Sequence, residues 1–271
     1  MRLGAAGAML ILSVAGCSAA ADVATPPPLT SATPTPEPTA SGTPSTSLST
    51  SPSPSPSPSP SPTPIPLVAD PCIDRDVPAP PATDPVLTIL DRTYALDPSY
   101  TPPDLLQIGE TGFDGDHLVS AVAIADLGAL YRAAHAAGLS LLVDSAYRSY
   151  NQQRLTFDHW VSQQGYDAAL QRTARPGHSE HQLGTAIDFS SPGWTGRFGD
   201  WASETPEGAW VFEHAWEYGF VLSYPWAAEA VTCFGYEPWH YRWIGRARAA
   251  EQHASGVVLR TFLERYLVAP T

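Results

Sequence analysis

Two short stretches of the chain hold side chains whose types and spacing can do chemistry. In RPGHSEHQLGTAID (residues 175–188), His181 stands seven positions before Asp188, and in EPWHYRW (237–243), Glu237 stands three positions before His240. Two imidazoles and one carboxylate are a common ligand set for a catalytic zinc ion, whose fourth position stays open. Zinc lowers the pKa of a water molecule to about 7 and polarises a carbonyl, and a further carboxylate then moves the proton. The two stretches therefore predict metal-assisted hydrolysis.

Alternation of side chains along a strand supports this interpretation. In TAIDFS (185–190), Ile187 and Phe189 fall on one face, which suits a core, and Asp188 falls on the other. His240 falls on the less apolar face of EPWHYRW by the same rule. If the two strands are neighbours, Asp188 and His240 point into one cleft. Glu237 is then the candidate base, because Asp188 already supplies an anionic oxygen. His178 remains an alternative to His181 as a ligand.

Several elements must position these groups. Apolar spacing predicts a long helix over residues 115–138, and LSLLVDSAYRS (139–149) predicts a buried strand that leads into a loop. A second helix is predicted from the N-cap Ser149 to a stop at Gly165. Further predictions are a helix over 204–219, strands over 184–190, 220–225 and 231–245, and helices in 245–267. Helices and short strands mix without regular βαβ repeats, so we expect an α+β domain, a small, mostly antiparallel sheet flanked by helices.

The N-terminal region predicts export. Residues 1–17 contain one Arg, a short apolar run and Val-Ala-Gly-Cys, which resembles the lipobox of bacterial lipoproteins. We therefore expect a signal peptide over 1–17 and lipid modification at Cys17, with ordinary secretion as the alternative. Residues 18–68 are rich in Pro, Ser and Thr and predict a disordered linker. The predicted domain spans 69–271 and is extracytoplasmic and membrane-anchored.

The net charge limits the binding partners, and the cysteine content predicts a covalent cross-link. The net charge is −13, and all 14 basic residues are Arg. This acidity argues against nucleic acid, whose phosphates need a basic surface. In an exported domain, Cys72 and Cys233 predict one disulfide, with two unpaired buried thiols as the alternative. We expect a monomer.

The combined motifs are far more specific than either stretch alone. The pattern SxHxxGxAxD at residues 179–188, with ExWH at 237–240 and SAYRSY at 145–150, resembles the VanY-type D-alanyl-D-alanine carboxypeptidases and their dipeptidase relatives. ALDPSYTPPDLLQI (95–108) looks like the start of that family's domain. The resemblance thus runs in order through most of the folded part.

The resemblance assigns roles residue by residue. It implies that His181, Asp188 and His240 bind zinc. It also implies that Glu237 is the base and that Arg148 stabilises the oxyanion or holds the substrate. The residues expected to line the substrate cleft are Ser145, Tyr147, Gln153 and Ser179.

The implied activity is a zinc carboxypeptidase that removes the C-terminal D-alanine from peptidoglycan stem peptides. L,D-carboxypeptidase, D,D-dipeptidase and wall endopeptidase activities on the same site remain alternatives, because loops read substrate length and stereochemistry. A zinc-containing wall-binding module without turnover is a further alternative. The intact Glu237 argues against it.

Overall fold

The computed structural model describes residues 71–267, so the predicted signal peptide, Cys17 and the linker lie outside the described residues. Short strands and helices alternate irregularly along this part of the chain. The strands are β1 (Val77–Pro78), β2 (Tyr94–Ala95), β3 (Leu105–Gln107), β4 (Leu118–Ser120), β5 (Leu142–Ser145), β6 (Ala186–Ser190), β7 (Phe220–Leu222) and β8 (His240–Trp243). The α-helices are α1 (Ala121–Ala136), α2 (Tyr150–Gln164), α3 (Tyr166–Leu170), α4 (Trp201–Glu204), α5 (Pro206–His214), α6 (Glu229–Thr232), α7 (Arg246–Ser255) and α8 (Leu259–Leu263).

The central sheet has the order β5–β6–β8–β7, and every neighbouring pair is antiparallel. Two small sheets accompany it: β1 pairs with β2 in parallel, and β3 pairs with β4 antiparallel. Helices surround these sheets without a βαβ repeat. The predicted α+β class with small, mostly antiparallel sheets is confirmed.

The two faces of the central sheet differ in chemistry. Ile187 and Phe189 of β6, with Tyr241 of β8, belong to the main core together with Leu127 and Leu130 of α1. Residues 186 and 188 alternate onto the opposite face, as do 240 and 242. Strand alternation thus separates an apolar face that packs on α1 from a face that carries ionisable groups.

A second core closes the other side of the domain. It joins Leu87 and Ile89 of the N-terminal segment to Val221 of β7, Ile244, and Phe262 of α8. The described residues before position 100 are therefore part of the folded domain and pack against its C-terminal helices.

Two predicted elements differ at their boundaries or in burial. The first long helix begins at Ala121 rather than near Gly115, because residues 118–120 pair with β3 as a strand. Strand β5 is not buried as predicted: its residues alternate between exposed and half-buried, and Leu142 is 39% exposed. The reason is its place at the edge of the sheet, where it pairs with β6 alone among the described strands.

The predicted strand over 231–245 is also shorter than expected. Only His240–Trp243 is extended, while Glu229–Thr232 is a helical turn that ends at Cys233 in the left-handed conformation, with φ at 68°. The helix predicted over 204–219 divides into α5 and a 3-10 turn at Ala215–Tyr218. The second helix follows its prediction, with Ser149 and Gln152 forming a capping box.

Cys72 and Cys233 form a disulfide, and their Cα atoms lie 5.0 Å apart. The bridge joins the start of the domain to the loop before Glu237. None of the helices within residues 71–267 is long and apolar enough to cross a bilayer.

Candidate active site

Asp188 and His240 form a cross-strand pair. Strands β6 and β8 run antiparallel with Asp188 opposite His240, so the two side chains share one face of the sheet. His240 Nδ1 lies 2.9 Å from Asp188 Oδ1. Strands β6 and β8 are therefore neighbours, which was the condition for Asp188 and His240 to point into one cleft.

His181 reaches the same carboxylate from a 3-10 turn over Glu180–Leu183. Gly184 ends that turn with φ at 73°, a left-handed conformation that lets the chain enter β6 directly. A Cβ atom there would also lie 3.1 Å from the side chains of Leu105 and Pro102. His181 Nδ1 donates to the Ala146 carbonyl, so Nε2 faces Asp188 Oδ2 at 3.1 Å.

These three residues fit a metal ion. One ligand atom from each lies within 4.8 Å of the others. His181 Nε2 is buried and has no hydrogen-bond partner of acceptable geometry among the described residues. Burial, with the charge of Arg148, lowers the pKa of His181 to about 4, so its ring is neutral and able to ligate at neutral pH. An orphaned imidazole nitrogen beside a carboxylate and a second imidazole is the donor set that zinc prefers.

The cluster carries charge of its own when no metal is bound. Burial opposes a charged ring, but hydrogen bonds to Asp188 and Glu180 raise the pKa of His240 to about 10. Burial likewise opposes the Asp188 carboxylate, but His181 and His240 hold its pKa well below the ordinary value. The two carboxylates therefore favour the protonated form of the His240 ring.

His178 does not join this cluster. Its Nδ1 lies 2.7 Å from the Asp91 carbonyl oxygen, and its Nε2 lies 3.0 Å from Asp76 Oδ1. Both ring nitrogens thus bind the N-terminal segment, and of the two neighbouring histidines His181 is the one beside Asp188.

Glu237 stands at the wall of the site. Its backbone is fixed by hydrogen bonds of its N–H to Tyr224 and of its carbonyl to the His240 N–H. Its Oε2 lies 3.9 Å from His240 Nδ1. Burial raises the pKa of Glu237 to about 7, and the charge of His240 opposes that rise. A carboxyl group with such a pKa can both accept and return a proton near neutral pH.

Arg148 lies beside Asp188. Its Nη1 donates to Ser145 Oγ at 2.6 Å and to Asp188 Oδ2 at 3.4 Å, and its Nε donates to Gln153 Oε1 at 2.9 Å. Gln153 in turn donates to Thr173 and to the Ala174 carbonyl. Strand β5 and the first turn of α2 thus hold the guanidinium beside the ligand cluster.

A cavity of about 640 Å³ opens over the cluster. Its walls include Asp144, Arg148, Trp160, Arg172, Ser179, His181, Asp188, Tyr224, Phe234, Tyr236, Glu237, Trp239 and His240.

Of the four residues expected to line the substrate cleft, Ser179 alone does so. Gln153 is fully buried, and it and Ser145 hold Arg148 instead. Tyr147 directs its hydroxyl to Thr101, at 3.5 Å.

Sequence reasoning missed Glu180. This carboxylate is 5% exposed and touches His240, Arg242 and Ser223. Burial disfavours its charge, but Arg242 and the His240 hydrogen bond lower its pKa to about 2. One signal was available: Arg242 shares the face of His240 by strand alternation, and a buried Arg requires a buried acid.

The fold and the cluster together define a class of protein: a hydrolase of the single-metal kind, with two imidazoles and one carboxylate as ligands and a second carboxylate beside them. Comparison with known proteins narrows this class. The profile of the VanY family, D-alanyl-D-alanine carboxypeptidase, matches residues 116–246. YodJ of Bacillus subtilis (strain 168), provisionally named a carboxypeptidase, is 35% identical over 185 residues, which cover 66% of this chain and 67% of YodJ. The chain belongs to the VanY D-alanyl-D-alanine carboxypeptidase family.

Further relatives and solved structures are similar to this chain and carry carboxypeptidase or peptidase names. A D-alanyl-D-alanine carboxypeptidase of Enterococcus faecalis (strain ATCC 700802 / V583) is 32% identical, over 49% of this chain and 51% of the relative. The chain thus spans about half of that protein. Among solved structures, the LD-carboxypeptidase LdcB gives a TM-score of 0.60 at 32% identity, covering 69% of this chain and 90% of LdcB. A mutant of the vancomycin-resistance D,D-pentapeptidase VanY in complex with Zn(II) gives 0.57 at 27% identity, covering 66% and 99%.

Proposed function

We propose that this protein is a zinc carboxypeptidase that releases the C-terminal D-alanine of peptidoglycan stem peptides. The observation that carries the proposal is the convergence of three ligand atoms within 4.8 Å, with Glu237 on the wall of the same cavity. A binding module needs the ligands but has no use for a carboxylate whose pKa is tuned to about 7.

The proposed metal ligands are His181 Nε2, Asp188 and His240 Nδ1. Zinc held there supplies a Lewis acid for the scissile carbonyl and makes a water molecule more acidic. Glu237 takes the proton of the attacking water and then passes it to the nitrogen of the departing D-alanine. The new C–O bond forms first and leaves negative charge on the carbonyl oxygen, and the peptide C–N bond breaks when that charge returns. One water is consumed, and the products are the shortened peptide with a new carboxylate and free D-alanine.

Arg148 is proposed to stabilise the negative charge that develops on the carbonyl oxygen. Its guanidinium is fixed by Ser145 and Gln153 before substrate arrives, so little reorganisation is needed during the reaction. A donor of this kind typically contributes about 3 kcal/mol to transition-state stabilisation. Gln153 and Ser145 thus act through Arg148, while Ser179 lines the cavity itself.

A second candidate is L,D-carboxypeptidase activity on the same residues. It is favoured by the similarity to LdcB, which exceeds that to the VanY mutant in both TM-score and identity. The two activities share the ligands and the base, and differ in whether the residue before the D-alanine has the D or the L configuration.

Defined stem peptides decide between the candidates. The zinc-loaded protein is incubated with a pentapeptide ending in D-Ala-D-Ala and with a tetrapeptide in which the terminal D-Ala follows an L-centre, and released D-Ala is measured. Release from the pentapeptide supports the D,D-activity, and release from the tetrapeptide alone supports the L,D-activity. Release from neither substrate by protein with a full zinc complement would contradict the proposal.

We propose further that the enzyme acts outside the cytoplasm on a membrane tether. The supporting observations are the signal-like residues 1–17, the Pro/Ser/Thr-rich residues 18–68 and the disulfide, a bond typical of exported proteins. Cys17 is the proposed lipid attachment site. A Cys17→Ser variant should move from the membrane fraction to the soluble fraction, and its retention on the membrane would contradict the tether.

A further inference from the structure

We propose that Glu180 is a positioning residue that fixes the His240 ring so that Nδ1, rather than Nε2, is the nitrogen offered to the metal. The inference rests on the proposed metal site but not on the identity of the substrate. Glu180 Oε2 accepts from His240 Nε2 at 3.1 Å, while Nδ1 on the other side of the ring lies 2.9 Å from Asp188 Oδ1. With Nε2 occupied by a buried carboxylate, Nδ1 is the nitrogen left for coordination.

The Glu180 carboxylate is itself held from three sides. Besides His240, Ser223 Oγ donates to its Oε2 at 2.6 Å, and Arg242 Nη1 donates to its Oε1 at 2.8 Å. Glu180 is 5% exposed and Arg242 is 0% exposed. A buried carboxylate with three donors has a single well-defined position, so it can hold a ring in one orientation.

Arg242 extends this arrangement to the N-terminal segment. It stands two residues after His240 on the same face of β8, and its Nη2 donates to the carbonyl oxygens of Val86 and Thr88, each at 2.7 Å. Both acceptors precede residue 116, where the match to the VanY profile begins. A part of the chain outside that match thus braces a metal ligand through two buried side chains.

The His181 imidazole is oriented so that the other ring nitrogen, Nε2, is left for the metal. His181 Nδ1 donates to the Ala146 carbonyl, which leaves Nε2 facing Asp188 Oδ2 at 3.1 Å. The two histidines therefore present different ring nitrogens to one carboxylate, and each is oriented by a different acceptor. Partners of this kind typically change metal affinity by about 10- to 100-fold when they are removed.

A purely structural role for Glu180 makes a different prediction. If its only task were to neutralise the buried Arg242, its loss would lower the stability of the metal-free fold and leave zinc affinity unchanged. Glu180→Gln keeps the side-chain volume and removes the charge. Asp91→Asn is the matched control, because Asp91 is a buried acid bonded to Arg260 Nη2 at 2.8 Å and its carboxylate is not among the contacts of the three ligands.

The experiment measures zinc affinity by competition with a chromophoric chelator, alongside thermal unfolding of the metal-free proteins. We expect Glu180→Gln to bind zinc about 10- to 100-fold more weakly than the parent. Asp91→Asn should lose stability but keep zinc affinity within about threefold, a change below RT ln 3 or about 0.7 kcal/mol. Glu180→Gln with the zinc affinity of the parent would overturn the proposal.

A measurement on the unmodified protein keeps the test independent of how well the variant folds. In ¹⁵N NMR of the zinc-loaded parent, we expect a proton on His240 Nε2 with zinc on Nδ1, and the reverse arrangement at His181. Zinc on His240 Nε2 would overturn the proposal. Neither measurement uses a peptide, so zinc bound in the expected manner by a protein that releases no D-Ala would contradict the proposed function alone.

Discussion

Asp188 and His240 lie directly opposite each other in the antiparallel pair of β6 and β8, with 2.9 Å between Oδ1 and Nδ1. A slip of one residue in this register would move either side chain to the opposite face of the sheet, where α1 packs. The ligand cluster and the apolar core are therefore specified by the same strand pairing, and the metal-free protein already holds the two groups together.

Zinc affinity should rise with pH. The pKa of His240 is raised to about 10 in the metal-free protein, so its ring is protonated at neutral pH and zinc must displace the Nδ1 proton. Release of one proton per zinc makes the apparent affinity increase about tenfold per pH unit. Chelator competition at pH 6, 7 and 8 measures this slope. An affinity independent of pH would show that His240 is neutral before zinc binds.

Replacing His181 should remove the metal. His181→Ala deletes the buried Nε2 beside Asp188, so we expect loss of zinc and of hydrolysis. His178→Ala is the control, because that ring binds Asp76 and the Asp91 carbonyl. It should keep a full zinc complement after dialysis, as measured by atomic absorption. Zinc lost from His178→Ala and kept by His181→Ala would reverse the ligand assignment.

Glu237→Gln should separate metal binding from catalysis. The amide keeps the size of the side chain but cannot accept the proton of the water. General-base assistance contributes about 10²–10⁴-fold, so D-Ala release should fall by at least that range while zinc content stays at the parental level. Activity within about threefold of the parent would exclude Glu237 as the base, since even weak assistance exceeds that factor.

The pH profile of the parent offers an independent check on Glu237. Burial raises the pKa of this carboxyl to about 7, and only its ionised form accepts a proton. The value of kcat/KM should therefore decline as the pH falls below 7, and bound zinc, being a cation, should move this decline to lower pH. A rate that increases on acidification would contradict the assignment.

Arg148→Lys should lower kcat more than it lowers metal content. Lysine keeps a charge, but its single nitrogen cannot take the places of both Nε, which bonds Gln153, and Nη1, which bonds Ser145 and Asp188. We expect kcat to fall about 10²-fold, as when one oxyanion donor is lost. Arg154→Ala removes an exposed Arg that pairs with Asp158 on the outer side of α2, and it should leave kcat within about twofold. Equal decreases of kcat in the two variants would show that Arg148 does not take part in the reaction.

The parts of the site that follow strand alternation were predictable from the sequence. Asp188 and His240 fall on one face because side chains alternate, and the same rule places Ile187 in the core. Glu180 escaped prediction because it lies in a 3-10 turn, where no simple period says which side chains are buried. Which of the two histidines joins the ligand cluster likewise depends on distant contacts: His181 bonds Ala146, and His178 bonds Asp91.

Long-range pairing explains the differences in the fold. Residues 118–120 fall within the segment predicted as the first long helix but form a strand because β3 offers them a partner. Gln153 and Ser145 match motif positions, yet they support Arg148 from behind the cavity wall. Neither pairing nor depth can be read from a local window of sequence, since both depend on residues far along the chain.

The disulfide between Cys72 and Cys233 also determines where mechanical load enters the domain. Everything between the proposed anchor and the fold precedes Cys72, so a pull on the tether reaches this residue first. The covalent bond would pass that force to Cys233, four residues before Glu237. If the chain is anchored through Cys17 as proposed, tension on the tether would reach the loop that carries Glu237, and the turnover rate would then depend on that tension.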